Sequence, residues 1–131
     1  MSLSDIEENP TREKLTPNFY RDEFACRCGC GSDSISILLV NRLQQVRDEI
    51  GAPIKITSGC RCLAHNEVEG GNAFSAHLSG HAVDISCTHS NKRMTLLPVL
   101  CRYFRRVGVG KDFIHVDIDP TKDHDVLWVY S

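Results

Sequence analysis

The stretch Ser75-Ala76-His77-Leu78-Ser79-Gly80-His81-Ala82-Val83-Asp84 sets a histidine and an aspartate on either side of a glycine, with six residues between them. After Gly80 the residues alternate as they do in a half-buried strand, so Asp84 and Val83 point to opposite faces. A turn before Gly80 would bring His77 back beside Asp84. Imidazole and carboxylate are both good zinc ligands, and a catalytic zinc usually takes three protein ligands. The stretch therefore predicts two ligands of a metal site whose third ligand lies elsewhere.

A second alternating stretch, Phe113 to Asp119, supplies the candidate third ligand. Its isoleucine and valine side chains point to one face, whereas His115 and Asp117 share the other. Charged groups are costly to bury unless they are paired or bind a metal. We therefore predict that His115 is the third zinc ligand and that Asp117 orients a ligand imidazole. Asp112, three residues before His115, is the candidate base for the attacking water.

Composition limits the size of the protein and the classes of its partners. At 131 residues, with 41% hydrophobic and 24% charged residues, the chain predicts a flexible polar leader over 1–15 and a single domain over 16–131. The net charge of −2 comes from interspersed acidic and basic residues, which excludes nucleic acid or an anionic membrane as the main partner. Arg102, Arg105 and Arg106 are expected to form a solvated helix face. We expect a monomer.

The sequence also carries expectations about location. No apolar segment approaches the roughly 18 residues that a membrane-spanning helix needs, so membrane insertion is not expected. The first ten residues lack the basic start and apolar run of a secretory signal. We therefore expect synthesis without a signal peptide, and either a cytoplasmic location or release to the cell wall by a lysis system.

Apolar periodicity and turn residues predict the remaining elements. Ser34 is a candidate N-cap for the first long helix, and Pro98 is expected to bend or split the second. The predicted elements are helices at 35–50 and 90–106, strands at 53–59, 107–110 and 126–130, and a short helix or loop at 64–72. Arg61, just after the strand at 53–59, is the best candidate for holding a substrate carbonyl or carboxylate.

The cysteines are a second group of residues that could form a cross-link or bind a metal. The chain has seven, an odd number, and five of them fall into two short runs, Cys26, Cys28 and Cys30 in the first and Cys60 and Cys62 in the second. The candidates for a link between the runs are Cys26, Cys28, Cys30 and Cys62. These two runs predict a disulfide or a small structural metal cluster between them, or else reduced thiols that lie close together. A second zinc is disfavoured, because the spacing lacks the C-x₂₋₄-C pairs of ordinary structural sites.

Three motifs together resemble the zinc D-alanyl-D-alanine carboxypeptidase family, which also contains the L-alanyl-D-glutamate endopeptidases of phage endolysins. The motifs are Ser75-x-His77-x-x-Gly80-x-Ala82-x-Asp84, Asp112-x-x-His115-x-Asp117 and Ser58-Gly59-x-Arg61. The resemblance runs from about Phe19 to Trp128, and the segments at 24–26 and 61–66 look like a small single-domain branch of the family.

The resemblance implies an α+β fold with a central antiparallel sheet, flanking helices and one catalytic Zn²⁺. It makes His77, Asp84 and His115 the zinc ligands. It also implies two catalytic residues: Asp112 is the general base, and Arg61 polarises a carbonyl or anchors the substrate. Ser75 and His65 become cleft or supporting residues. Two positions depart from the family: Cys60 replaces a common aromatic residue, and Asp112 replaces a frequent glutamate.

Two classes of function follow from this resemblance. The first is a zinc metallopeptidase, of a phage, a prophage or a bacterium, in which a zinc-bound water attacks a peptide bond of the peptidoglycan stem peptide. The type, D-Ala-D-Ala carboxypeptidase or L-Ala-D-Glu endopeptidase, stays open. The second is a non-catalytic zinc-containing module that binds the cell wall or serves as a phage structural component. The presence of Asp112 favours the enzyme, because a binding module has no need of a base.

Overall fold

A five-stranded sheet carries two of the three predicted ligands, Asp84 and His115, on one face and the hydrophobic core on the other. The computed structural model describes residues 12–130. Its strands are β1 (Lys14–Thr16), β2 (Phe19–Tyr20), β3 (Ile56–Ser58), β4 (Ala82–Ser86), β5 (Arg106–Val109), β6 (Phe113–Asp117) and β7 (Val126–Val129). Its helices are α1 (Ile37–Ile50), α2 (Leu63–Val68) and α3 (Ser90–Tyr103), and a 3₁₀ turn spans Arg21–Phe24.

The strands of the main sheet lie in the order β3-β4-β6-β5-β7. Neighbouring strands run antiparallel from β3 to β5, and β7 then pairs with β5 in parallel. The first two strands form a separate antiparallel ribbon. The predicted α+β fold with a central antiparallel sheet and flanking helices is therefore confirmed, and the parallel edge pair is an addition that the sequence did not indicate.

The core lies between the sheet and the two long helices. Helices α1 and α3 contact each other and contribute leucines and valines that are almost fully buried. These side chains pack against the apolar residues of the central strands, Val83, Ile85, Ile114 and Val116. Full burial of such a side chain contributes about 1.5–3 kcal/mol, so this single cluster fixes which face of the sheet is left for polar groups.

Helix α1 starts later than predicted and ends where predicted. Its N-cap is Ser36 rather than Ser34, and no side chain caps its first turn. At the other end Gly51 adopts a left-handed conformation with φ +64°, and its N–H donates to the Arg47 carbonyl. Most of the predicted leader at 1–15 lies outside the described residues, and Lys14 begins strand β1.

Helix α3 corrects two expectations. Pro98 lies inside one continuous helix, so it does not split the segment. The helix ends at Tyr103 because Phe104 turns to an extended conformation, where its side chain is buried. Arg106 consequently belongs to strand β5 and not to a solvated helix face. Among the described residues, every helix is too short or too polar to cross a bilayer.

Candidate metal centre

Strand pairing sets Asp84 beside His115. Asp84 on β4 is the direct antiparallel partner of His115 on β6, and Ala82 pairs with Asp117 two positions along. Because side chains alternate along a strand, all four project from the face opposite the core. The Nδ1 atom of His115 lies 2.9 Å from Oδ1 of Asp84.

A tight turn before β4 places His77 beside Asp84 and His115. The N–H of Gly80 donates to the His77 carbonyl, and Gly80 has φ +76°, a conformation that glycine adopts without strain. A Cβ at Gly80 would lie 2.2 Å from the Ser34 carbonyl oxygen, so the turn also needs glycine for space. The result places His77 Nε2 3.3 Å from Asp84 Oδ1.

These distances fit a zinc ion. Ligand atoms of His77, Asp84 and His115 all lie within 4.8 Å of one another. Zinc bonds of about 2.0–2.1 Å in a tetrahedron set nitrogen and oxygen ligands about 3.3 Å apart. The measured separations of 2.9 Å and 3.3 Å are close to that value. Two histidines and one carboxylate would leave a fourth position for water, as in catalytic zinc sites.

Each imidazole is oriented through its other nitrogen. Nδ1 of His77 lies 2.7 Å from the carbonyl oxygen of Gly59, and Nε2 of His115 lies 2.7 Å from Oδ2 of Asp117. With a metal bound, these acceptors would take the ring N–H and leave the lone pair of the opposite nitrogen for the ion. Asp117 is held in turn by Arg106, whose Nε donates to Oδ1 at 2.7 Å.

The carboxylates of the centre are ionised. Burial would raise the pKa of Asp84, but hydrogen bonds from His115 and His77 hold that pKa well below its usual range. Burial also opposes the ionised form of Asp117, and His115 and Arg106 nevertheless lower its pKa. Burial would lower the pKa of His115, but its bonds to Asp117 and Asp84 raise it. A partly buried site with two ionised carboxylates is suited to a cation.

The three candidate ligands line a cleft of about 860 Å³. Asp112 also lines it, at the entry to β6, and its side chain is exposed. Within residues 12–130 the Asp112 carboxylate makes no hydrogen bond, and the backbone carbonyl of this residue accepts from the Cys87 N–H. The Asp112 carboxylate is therefore free to take a proton from water.

Arg61 lies on the same cleft and is held by three polar neighbours. Its Nε donates to Ser58 Oγ at 3.2 Å, its Nη1 to Asn66 Oδ1 at 3.3 Å and its Nη2 to Asp84 Oδ2 at 3.5 Å. N–H donors remain on both terminal nitrogens for a substrate oxygen. Gly71 is in contact with this group, since a Cβ there would lie 3.1 Å from Arg61 Nη1.

The two predicted supporting residues are placed differently. Ser75 lines the cleft and accepts a hydrogen bond from the His77 N–H at 3.2 Å, which steadies the turn. His65 lies on α2, where its Nε2 is 3.8 Å from a Glu69 carboxylate oxygen. The structure does not bring His65 to the part of the cleft formed by the described residues.

Four of the five cysteines in the two runs lie close together, and none of the four lines the cleft. The Sγ atoms of Cys26, Cys28, Cys30 and Cys62 lie within 4.8 Å of one another, and all four thiols are free. Burial raises the pKa of Cys26, but N–H groups of Cys28 and Cys62 and the neighbouring thiols lower it overall, to about 6. The predicted proximity of the two runs is thus observed, without a disulfide between these four.

Sequence reasoning missed part of the cleft wall. Trp128 and Tyr130, from the end of the described chain, line the cleft, and the Trp128 ring centroid lies 5.5 Å from that of His115. Gly108 makes room for this ring, because a Cβ there would lie 2.5 Å from it. The alternation of β7 did place Trp128 on one face, but the parallel pairing with β5 that directs this face to the cleft has no local signal.

Comparison with known families agrees with the geometry. The family model described as Peptidase M15 matches residues 17–117, well over half of the chain and all three candidate ligands. The chain therefore belongs to this family, and the resemblance stated from the motifs is confirmed. It is a zinc metallopeptidase by family. No curated protein in the comparison matches the chain.

Proposed function

From its membership of the Peptidase M15 family, we propose that this protein hydrolyses a peptide bond in the stem peptide of bacterial peptidoglycan. The observation that carries the proposal is the convergence of His77, Asp84 and His115 on an open cleft. Both imidazoles are fixed by buried hydrogen bonds, so the centre is pre-organised before substrate enters.

His77 Nε2, Asp84 Oδ1 and His115 Nδ1 would hold the metal. A bound zinc supplies a Lewis acid that activates water and polarises a carbonyl. The carboxylate of Asp112 accepts the proton of the attacking water and delivers it to the amine nitrogen of the leaving fragment, which is the work of a general base and then a general acid. The Asp112 side chain is exposed on the cleft wall and makes no hydrogen bond to the described residues 12–130, so it is available for this transfer.

The wall of the cleft fits a peptide that carries carboxylates. Three cationic residues line it, but Arg106 is paired with Asp117 and Lys122 with Asp119. Arg61 retains free N–H donors and is the candidate for binding a carboxylate. Guanidinium groups bind carboxylates and carbonyl oxygens in a fixed orientation. Stem peptides carry the carboxylates of D-glutamate and of a terminal D-alanine, so we assign Arg61 to anchoring such a group beside the reacting bond.

The experiment is hydrolysis of purified peptidoglycan and of two defined stem peptides by the zinc-loaded protein, with mass analysis of the fragments. Release of terminal D-alanine identifies a carboxypeptidase, whereas release of N-terminal L-alanine identifies an endopeptidase. Zinc-loaded protein that binds peptidoglycan but releases no fragment would contradict the proposal and would fit a non-catalytic wall-binding module.

Substitution of the base is the matched test. We expect Asp112→Ala to keep its zinc and to lose about 10²–10⁴-fold in rate, the usual contribution of a general base. Asp123→Ala, another exposed aspartate, is the control and should keep the wild-type rate. Full activity in Asp112→Ala would remove this residue from the reaction.

A further inference from the structure

A cluster of four thiols lies apart from the cleft, and we call it the cysteine cluster: Cys26, Cys28, Cys30 and Cys62. The first three follow the 3₁₀ turn Arg21–Phe24, and Cys62 is the N-cap residue of α2. None of the described residues that line the cleft is a cysteine. The cysteine cluster is therefore a second group of metal-ligating side chains, on a different part of the surface from the catalytic centre.

The distances within the cysteine cluster suit one shared ion. Sγ of Cys26 lies 3.4 Å from that of Cys28 and 4.0 Å from that of Cys62, and the Cys28 and Cys62 sulfurs are 3.6 Å apart. Two thiolates on one tetrahedral zinc, with Zn–S bonds of about 2.3 Å, are separated by about 3.8 Å. The measured values bracket this separation. A single disulfide would pair only two sulfurs, whereas here all four sulfurs lie within 4.8 Å of one another.

The backbone is shaped to bring these sulfurs together. In an extended strand Cys26 and Cys30 would be about 13 Å apart. The loop instead closes on itself, because the Gly29 N–H donates to the Cys26 carbonyl at 3.2 Å and the Cys26 N–H donates to the Ser32 carbonyl at 2.7 Å. Gly29 and Gly31 have φ +85° and +91°, which glycine adopts without strain.

This closure also revises the argument from spacing. Cys26 and Cys30 form a C-x₃-C pair, which falls within the usual range for structural zinc sites once Cys28 is counted as an additional ligand between them. The expectation that the spacing lacks such a pair was therefore wrong. The spacing is therefore compatible with a zinc site that takes three ligands from one loop.

Groups around the cysteine cluster hold it in place. The His65 N–H donates to Cys62 Sγ at 3.4 Å, a contact that favours a thiolate at this position. Arg27, which lies between two of the ligands, donates to the Ile56 carbonyl at 2.9 Å and to the Glu23 carbonyl at 2.9 Å. These bonds tie the loop to strand β3 independently of any metal.

We propose that Cys26, Cys28, Cys30 and Cys62 bind a second zinc ion in a structural tetrathiolate site. Four thiolates complete the coordination of zinc, so this ion has no open position and takes no part in hydrolysis. It links the loop after the 3₁₀ turn to the junction of β3 and α2, the segment that carries Arg61 next to Cys62. The proposal does not depend on the substrate or on the catalytic zinc.

The first experiment measures zinc content by mass spectrometry in protein purified under reducing conditions. We expect about two zinc ions per chain in the wild type and about one in the double variant Cys28→Ser/Cys62→Ser. Cys101→Ser, an exposed cysteine outside the cluster, is the matched control and should keep both ions. A wild type that holds a single zinc, and loses it completely in His115→Ala, would overturn the proposal.

The second experiment needs no variant in the cluster and so does not depend on the folding of one. Cobalt added to metal-free wild-type protein should give an intense thiolate-to-cobalt charge-transfer absorption and d–d bands typical of a tetrahedral sulfur site, and these should persist in His115→Ala. The absence of thiolate charge transfer in folded protein would overturn the proposal. Measurement of the intact mass gives a second check on protein purified under reducing conditions. A mass below that calculated from the sequence, by two hydrogens for each disulfide, would also overturn the proposal.

Discussion

At the scale of single residues, Asp117 is placed to control a bound zinc without touching it. Its carboxylate accepts from His115 Nε2 at 2.7 Å and is only 2% exposed. Such partners fix the tautomer of a ligand histidine and raise its basicity, and their loss typically weakens metal binding 10–100-fold. The alternation of β6 predicted this position because it sets Asp117 and His115 on the same face.

We therefore expect Asp117→Asn to bind the catalytic zinc about 10–100-fold more weakly, since the neutral amide holds the imidazole less firmly. The measurement is competition with a chelator, in a background where the cysteine cluster is replaced so that only one site reports. Asp125→Asn is the control, because that exposed aspartate pairs with Arg105 on the surface. Equal affinity in Asp117→Asn and wild type would show that Asp117 does not orient the ligand.

A glycine provides the second test at this scale. Gly80→Ala should destabilise the protein by about 2 kcal/mol more than Gly51→Ala, since both residues have positive φ but only Gly80 would also bring its Cβ against a backbone oxygen. Urea unfolding midpoints measure the difference. Equal loss of stability in the two variants would mean that the turn relaxes without displacing its neighbour.

At the scale of elements, the connection between β6 and β7 is stabilised by Asp119. Its carboxylate accepts from Thr121 Oγ1 at 2.7 Å and from Lys122 Nζ at 2.8 Å. Burial would raise its pKa, but these bonds lower it to about 2. Because the folded pKa lies below the unfolded one, the stabilisation is present above about pH 4 and is lost as pH falls toward 2.

Replacing Asp119 should therefore make the free energy of unfolding depend less on pH in the acid range. We expect the free energy of unfolding to fall less between pH 5 and pH 2 in Asp119→Asn than in wild type, by on the order of 2 kcal/mol. Asp123→Asn serves as the control, because within residues 12–130 its side chain makes no hydrogen bond and it lies in the same connection. Identical slopes in all three proteins would exclude Asp119 as a source of acid sensitivity.

The elements that the sequence predicts best are those with strong local patterns. Alternation placed His115 and Asp117 on one strand face, and helical periodicity located α1 to within two residues of its start. Arg106 and Trp128 were not recognised because their positions depend on the parallel pairing of β5 with β7, which no local pattern specifies. The Gly59 carbonyl was missed for a different reason: every residue carries one, so a backbone acceptor leaves no mark in the sequence.

At the scale of the whole molecule, metal and stability are linked, because the three ligands lie on elements that come together only on folding. We expect removal of zinc by a chelator to lower the unfolding temperature, and His115→Ala to lower both zinc content and stability. A ligand at a thousandfold excess over its dissociation constant stabilises a fold by about 4 kcal/mol. Calorimetry with and without zinc measures this, and unchanged zinc content in His115→Ala would remove His115 from the centre.

The course of the chain through the sheet has a consequence for the order in which the candidate ligands of the two proposed metal sites come together. Asp84 and His115 are neighbours in the sheet, but the whole of α3 and strand β5 separates them along the chain. Closing so long a loop carries an entropy cost that folding must overcome before an ion can be held by both residues. Three ligands of the cysteine cluster fall within a single short loop, where closure costs far less. An emerging chain can therefore gather these three thiols early. Both proposed metal sites are completed later, because Cys62 is 34 residues from Cys28 and His115 is 31 residues from Asp84.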